Sequence, residues 1–187
     1  ASIARSRLPE LLRKFRKLHP EIKVDVLVQG NELAVALEEG RVQLALVDEL
    51  CAKGFHWLPL TDAPLIAVVP PDFLWEEKTI SLERLLQESF ISSPEQYVES
   101  LLPPDAPRLQ VTASDDGAIL SMVAGGLGVS VLSAFSLEGY EERVRTIPLD
   151  QPVSRRLGAA YKSVPAPNSA ARMFLSFLKR QYSGALN

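Results

Sequence analysis

The chain has 187 residues, 47% of them apolar, with a formal net charge of −3 and a single cysteine, Cys51. This length and apolar content suffice for one large domain or two small lobes whose core needs neither disulfide nor metal. A net negative charge repels the phosphate backbone of DNA, so we do not expect this chain alone to bind DNA. One cysteine excludes an internal disulfide and suits a reducing compartment, which predicts a cytoplasmic protein with no membrane partner.

The first fifty residues alternate between helical and extended patterns. Apolar residues recur every three or four positions in the predicted helices and every second position in the first predicted strand. Asn31 can cap the second helix, and Gly40 can end it in a left-handed conformation. In chain order, the predicted elements are a helix at 8–18, a strand at 22–28, a helix at 32–39 and a strand at 43–47. This order is typical of α/β folds and predicts parallel pairing.

The same alternation returns in the second half of the chain, which predicts two similar lobes. Ser81 can cap one of the helices, and a proline-rich stretch at 103–107 is a stiff surface connection. The closing helix is expected to pack on the first lobe. Strands are predicted at 55–60, 64–69, 90–91, 109–112, 128–132, 144–149 and 156–161, and helices at 82–86, 95–102, 114–124 and after 168.

Several motifs that carry chemistry in other proteins are excluded by their context. The glycine-rich run 124–128 closes a helix and opens a strand, the reverse of a dinucleotide-binding loop, so it predicts a helix stop with close backbone packing. His19 and His56 lack the spacing of a metal site, and we expect neither metal nor cofactor. Cys51 has no nearby histidine in the sequence, so the residues give no argument for a nucleophile with its base.

The candidate binding residues are polar side chains at junctions between strands and helices. In open α/β sheets, ligands bind beyond the carboxyl ends of the strands, where helix N-termini offer backbone N–H groups. Each residue has an alternative role as an ordinary helix cap, which contributes about 1 kcal/mol. Donors of this kind would suit an anionic or polar small molecule. The candidate set is Ser2, Ile3, Asn31, Asp48, Ser92, Ser93, Ser114 and Asp115.

A series of short blocks resembles the regulatory domain of LysR-type transcriptional regulators. The chain opens with Ser2-Ile3-Ala4, Leu8-Pro9, Leu12, Phe15 and His19-Pro20, which is similar to the start of that domain. Later blocks occur in the family's order, so the resemblance covers nearly the whole chain. They are Gly30, the step from Leu37 to Gly40, Leu44 to Val47, Leu58-Pro59-Leu60, Val123 to Val129, and Ser169-Ala170-Ala171 with Phe174.

The resemblance implies an α/β, two-lobed fold like that of type 2 periplasmic binding proteins, each lobe a mixed, mostly parallel sheet flanked by helices. Residues 1–90 and 156–187 would form the first lobe, and residues 91–155 the second. An effector would bind between the lobes, contacting Ser2, Ile3, Ser92, Ser93 and Ser114. Its binding would change the geometry of a dimer and hence the spacing of distant DNA-reading heads.

The resemblance also implies a homodimer, which becomes a tetramer in the full-length protein. The first helix of one subunit would lie against helix 117–124 of the other. The predicted interface residues are Leu8, Leu11, Leu12, Phe15, Ile119 and Val123. The family's first strand and its N-terminal winged helix-turn-helix have no counterpart in this sequence, so DNA binding would belong to the full-length protein.

Two other functions remain open from the residues. The chain could be an extracytoplasmic solute-binding protein of a transporter, which shares this fold. It could also be an enzyme on the same fold, such as a deaminase or dehydratase. That hypothesis requires a cluster of acidic, basic or nucleophilic side chains, which the sequence does not offer.

Overall fold

The computed structural model describes residues 7–28, 32–93, 97–111, 116–167 and 169–182. The chain divides into two compact units. We call residues 63–155 the central unit, and residues 7–62 together with 156–182 the terminal unit. The divisions lie at 62/63 and 155/156, and residues such as Leu65, Ile80 and Leu85 share a core with Phe90. The lobe boundaries at 90/91 and 155/156 stay a prediction.

The terminal unit is built on a short antiparallel ladder with helices around it. Its elements are helices α1 (Leu8–Leu18), α2 (Leu33–Glu38) and α5 (Ala170–Tyr182), strand β1 (Ala45–Asp48), the first half of β2 (His56–Val69) and all but the first two residues of β7 (Ser154–Tyr161). β1 pairs antiparallel with β7. Phe15 is fully buried, and its ring meets that of Phe174 edge-on at 4.8 Å. The closing helix therefore packs on α1, an element of the predicted first lobe.

The predicted strand at 22–28 is wrong in the structure, and so is the predicted parallel pairing of the first elements. Residues 22–28 are extended but belong to no ladder. Val24, Val26 and Val28 are exposed by 38%, 49% and 61%, so the alternating apolar pattern buries no face. An extended segment becomes a strand only when an edge takes up its backbone N–H and C=O groups. None of the described residues supplies such an edge here.

The central unit combines antiparallel and parallel pairing. It holds the second half of β2, α3 (Leu82–Leu85), β3 (Ile91–Ser92), a 3-10 helix (Tyr97–Leu101), β4 (Leu109–Gln110), α4 (Gly117–Ala124), β5 (Ser130–Ser133), a second 3-10 helix (Ala134–Ser136) and β6 (Arg145–Pro148). β5 and β6 each pair antiparallel with β2, whereas β3 and β4 are parallel. A parallel bridge joins Phe90 to Val129. As predicted, the Ser81 hydroxyl caps α3 by accepting the Arg84 N–H.

The glycine run after α4 both ends the helix and packs closely against backbone. Gly126 has a φ of +77°, the left-handed conformation that stops a helix, and Gly40 does the same after α2 with a φ of +71°. A Cβ on Gly128 would lie 2.0 Å from the Ser89 carbonyl oxygen. The prediction of a helix stop with close backbone packing is confirmed, and Gly128 is what lets β5 approach the start of β3.

Candidate hydroxyl site at the parallel strand ends

Buried hydroxyl groups gather in the central unit, on β3, on β5 and in the 3-10 helix after β5. Because β3 runs parallel to β4 and is bridged in parallel to the start of β5, the carboxyl ends of these strands share one edge. The buried polar side chains among the described residues are all serines, each at most 3% exposed: Ser92, Ser93, Ser130, Ser133 and Ser136. Ligands of α/β sheets bind at edges of this kind.

Ser92 is tied into a buried ionic network. Its hydroxyl donates to Glu99 Oε1, and Glu99 Oε2 lies 3.1 Å from an Arg108 guanidinium nitrogen. Both charged side chains are only 15% exposed. Arg108 also donates to the carbonyl oxygen of Ala106 at 2.7 Å. A serine hydroxyl has one hydrogen and two lone pairs, so Ser92, having given its hydrogen to Glu99, can offer a ligand only lone pairs.

The serines on and after β5 differ in what their hydroxyls do. Ser130 Oγ donates to the Ile91 carbonyl oxygen at 2.7 Å, which adds a side-chain link between β5 and β3. The Ser136 hydroxyl donates to the carboxylate of Asp116, the residue just before α4. Ser133 does the opposite, because its Oγ accepts the backbone N–H of Phe135 at 3.2 Å and so caps the second 3-10 helix.

The structure brings together only part of the predicted effector set. Ser92 and Ser93 lie at the end of β3 in the central unit. Asp48 ends β1 in the terminal unit, where its carboxylate accepts the Cys51 backbone N–H at 3.0 Å and so closes a turn. The other predicted contacts lie outside the described residues: Ser2, Ile3, Asn31, Ser114 and Asp115.

The predicted interface residues divide into buried and partly exposed side chains. Leu11 and Phe15 face the core of the terminal unit, and Ile119 and Val123 face a core of the central unit. Their side chains are at most 6% exposed, so they hold their helices in place and do not form an outer surface. Leu8, Leu12 and their charged neighbours supply the accessible face of α1.

Glu99, Arg108, Ser133 and Ser136 are site residues that sequence reasoning did not single out. Ser133 follows the predicted strand 128–132 directly, so the rule that selected Ser92 and Ser93 would have found it. Glu99 and Arg108 gave no comparable signal, because a charged residue in a predicted helix or loop is usually solvated. Within the described residues, no histidine, cysteine and carboxylate cluster could hold a metal ion, and no helix is long and apolar enough to cross a membrane.

Comparison with known proteins identifies the family. The LysR substrate binding domain matches residues 1–183. The chain belongs to this family. This LysR domain is 29% identical to the RuBisCO operon transcriptional regulator of Allochromatium vinosum, over 91% of the chain and 61% of the relative. It is 27% identical to the transcriptional activator CmpR of Synechocystis, over 91% of the chain and 60% of the relative.

The LysR domain spans about 60% of the length of these curated relatives. The relatives are transcription regulators, which disfavours the transporter alternative.

Two solved structures with the same fold are a regulatory domain and an effector binding domain. The regulatory domain of Synechocystis CcmR, in complex with 2-PG, superposes with a TM-score of 0.83 at 24% identity, covering 97% of this chain and 93% of that one. The effector binding domain of QuiR, in complex with shikimate, gives a TM-score of 0.79 at 18% identity, covering 98% and 93%. The predicted family and the predicted α/β fold class, like that of periplasmic binding proteins, are confirmed.

Proposed function

We propose that this LysR domain is the effector-sensing and dimerising part of a bacterial transcription regulator, and that its effector binds at the carboxyl edge of β3 and β5. The observation that carries the proposal is the group of buried serines at the ends of β3 and β5, Ser92, Ser93 and Ser133, in a chain that the LysR substrate binding domain matches from 1 to 183. Buried hydroxyls contribute specificity when a ligand completes their hydrogen bonds, because an unsatisfied polar group is costly.

The proposed effector is a small anionic or polar molecule. The neighbours CcmR and QuiR are described in complex with 2-PG and with shikimate, which are small ligands. Serine hydroxyls and the backbone N–H groups that follow a strand are donors suited to carboxylate, phosphate or sulfate oxygens. Ser93 lies at the edge itself, and Ser114 and Asp115 follow the next strand in the sequence.

The proposed readout is a change in the geometry of a homodimer. Effector binding stabilises one conformation of the domain over another, and the dimer transmits this bias to a DNA-binding part of the full-length protein. The exposed face of α1, with Leu8 and Leu12, and the outer face of α4 are the proposed contact surfaces. The curated relatives are transcription regulators, which supports a cytoplasmic protein whose role is binding and not catalysis.

A thermal-shift screen followed by calorimetry tests the proposal. A ligand that binds only the folded state raises the melting temperature by mass action. We expect a hit among small acids and inorganic anions, and we expect Ser93→Ala combined with Ser114→Ala to weaken its affinity while the domain stays folded. Ser154→Ala, at an exposed serine of β7, is the matched control. Unchanged affinity in the double variant would contradict the site, and the absence of any hit would contradict the sensing role.

A further inference from the structure

We infer that Ser133 is a hydroxyl donor of the effector site and that it recognises an anionic oxygen of a small acid. The inference rests on the proposed function, since it assigns one side chain of the proposed site. The supporting observation is which buried serines already donate their hydroxyl hydrogen within the protein. A serine has one such hydrogen and can donate it to only one strong acceptor.

Three of the buried serines donate their hydroxyl hydrogen to other groups of the protein. Ser92 donates to Glu99, Ser136 donates to Asp116, and Ser130 donates to a backbone carbonyl at 2.7 Å. Each of these hydroxyls can still accept a hydrogen bond, but none can donate to a ligand without releasing its present partner. Releasing a carboxylate such as Glu99 would leave a buried charge short of a hydrogen bond, which is costly.

Ser133 is arranged in the opposite sense. Its oxygen is used as an acceptor by the Phe135 N–H, and no acceptor among the described residues takes its hydrogen. The side chain is only 3% exposed. A buried donor of this kind gains a hydrogen bond when an acceptor enters the site, and the cap bond fixes the position of its oxygen before the ligand arrives.

The position of Ser133 places it at the same strand edge as the predicted contacts. It is the last residue of β5 and lies opposite Leu65 of β2. Counted along from the parallel bridge between Phe90 and Val129, Ser93 is level with Leu132, the residue before Ser133. Ser92 is in the same way level with Val131, so the serines at the ends of β3 and β5 lie within two residues of one another along the sheet.

The directions of these hydrogen bonds define the chemical class of the ligand. Next to Ser133 the effector must carry an acceptor, and a carboxylate, phosphate or sulfate oxygen gives the stronger, charge-assisted bond. Next to Ser92 it can only donate, as a hydroxyl or ammonium group does. The assignment therefore favours a small acid whose anionic group faces β5.

The test is isothermal titration calorimetry of four variants with named probes. The probes are inorganic sulfate, inorganic phosphate, 2-PG and shikimate. Ser133→Ala removes the donor and the cap, Ser133→Thr keeps both, and Ser133→Asp keeps the cap acceptor but replaces the donor with a negative charge. Ser154→Ala is the control, because it removes a serine hydroxyl at an exposed position of β7, away from the ends of β3 and β5.

We expect the affinity for the best probe to fall about tenfold or more in Ser133→Ala, in line with the loss of a hydrogen bond to a charged group. Ser133→Asp should abolish binding, Ser133→Thr should bind like the unsubstituted chain, and Ser154→Ala should also bind as the unsubstituted chain does. Circular dichroism establishes that each variant is folded.

Two results would overturn the inference alone and leave effector sensing intact: Ser133→Ala binding the probe with unchanged affinity, or a folded Ser133→Thr variant binding as weakly as Ser133→Ala. If the unsubstituted domain binds none of the four probes, both the anionic effector class and the role of Ser133 are wrong.

Discussion

Replacing Gly128 with alanine should disrupt the junction on which the serine edge is built. The added Cβ would lie 2.0 Å from the Ser89 carbonyl oxygen, so the two backbones would have to separate by about 1.4 Å to reach ordinary contact. That movement weakens two backbone hydrogen bonds, from Val129 N–H to Ser89 O at 2.9 Å and from Ile91 N–H to Val129 O at 2.8 Å. With about 1 kcal/mol for each bond and 1–3 kcal/mol for overpacking, the free energy of unfolding should fall by about 3–5 kcal/mol.

Gly125→Ala is the matched control for this prediction, because it adds the same methyl group three residues earlier. Its Cβ would lie 3.4 Å from the Ser121 carbonyl oxygen, an ordinary contact, and Gly125 has a φ of −81°. The control should therefore be neutral or stabilising by up to about 1 kcal/mol. Urea unfolding followed by Trp75 fluorescence in a Trp57→Phe background reports on the central unit alone. A Gly128→Ala variant within 0.5 kcal/mol of its parent, about the noise for a surface substitution, would refute the reasoning.

Three further predictions concern the terminal unit. Phe15→Ala should lower its free energy of unfolding by about 3–5 kcal/mol, because it removes a buried ring, whereas Leu18→Ala at a 61% exposed position should change it by less than about 1 kcal/mol in chemical denaturation. Amides in 23–28 should exchange with deuterium much faster than those in 45–48, and equal protection would show that the extended segment has a partner. Burial raises the pKa of Tyr182, so the stability that its neutral form provides should be lost as pH rises above about 10, and Tyr182→Phe should flatten that alkaline limb of a stability profile.

Most helices could be predicted from the sequence because their signals are local. Apolar spacing and the cap at Ser81 located α1 and α3 to within a few residues, and the glycine conformations that end α2 and α4 were also readable. The segment 22–28 shows where such reasoning fails. Its alternating pattern is that of a strand, but a strand exists only with a partner, and a partner is a tertiary contact that the pattern does not contain.

The continuity of β2 was not predictable from the sequence for the same reason. The extended segments 55–60 and 64–69 were predicted separately, yet they form one continuous strand, β2. Residues 56–62 of that strand belong to the terminal unit and residues 63–69 to the central unit. The two halves of β2 pack in different cores, but the apolar pattern of the strand does not show where one core gives way to the other, because both halves are equally suited to burial.

The location of the site was predictable from the sequence, but the direction of its hydrogen bonds was not. Sequence rules led to serines at strand ends, yet whether a serine donates or accepts is decided by acceptors that lie elsewhere in the chain: Glu99 for Ser92, Asp116 for Ser136, and a carbonyl of β3 for Ser130. It follows that ligand preference can change without any substitution at a contact residue. An exchange of Glu99 for glutamine would supply an amide donor to Ser92, free its hydroxyl hydrogen and turn an acceptor into a donor. Relatives with identical serines at this edge can therefore respond to chemically different effectors.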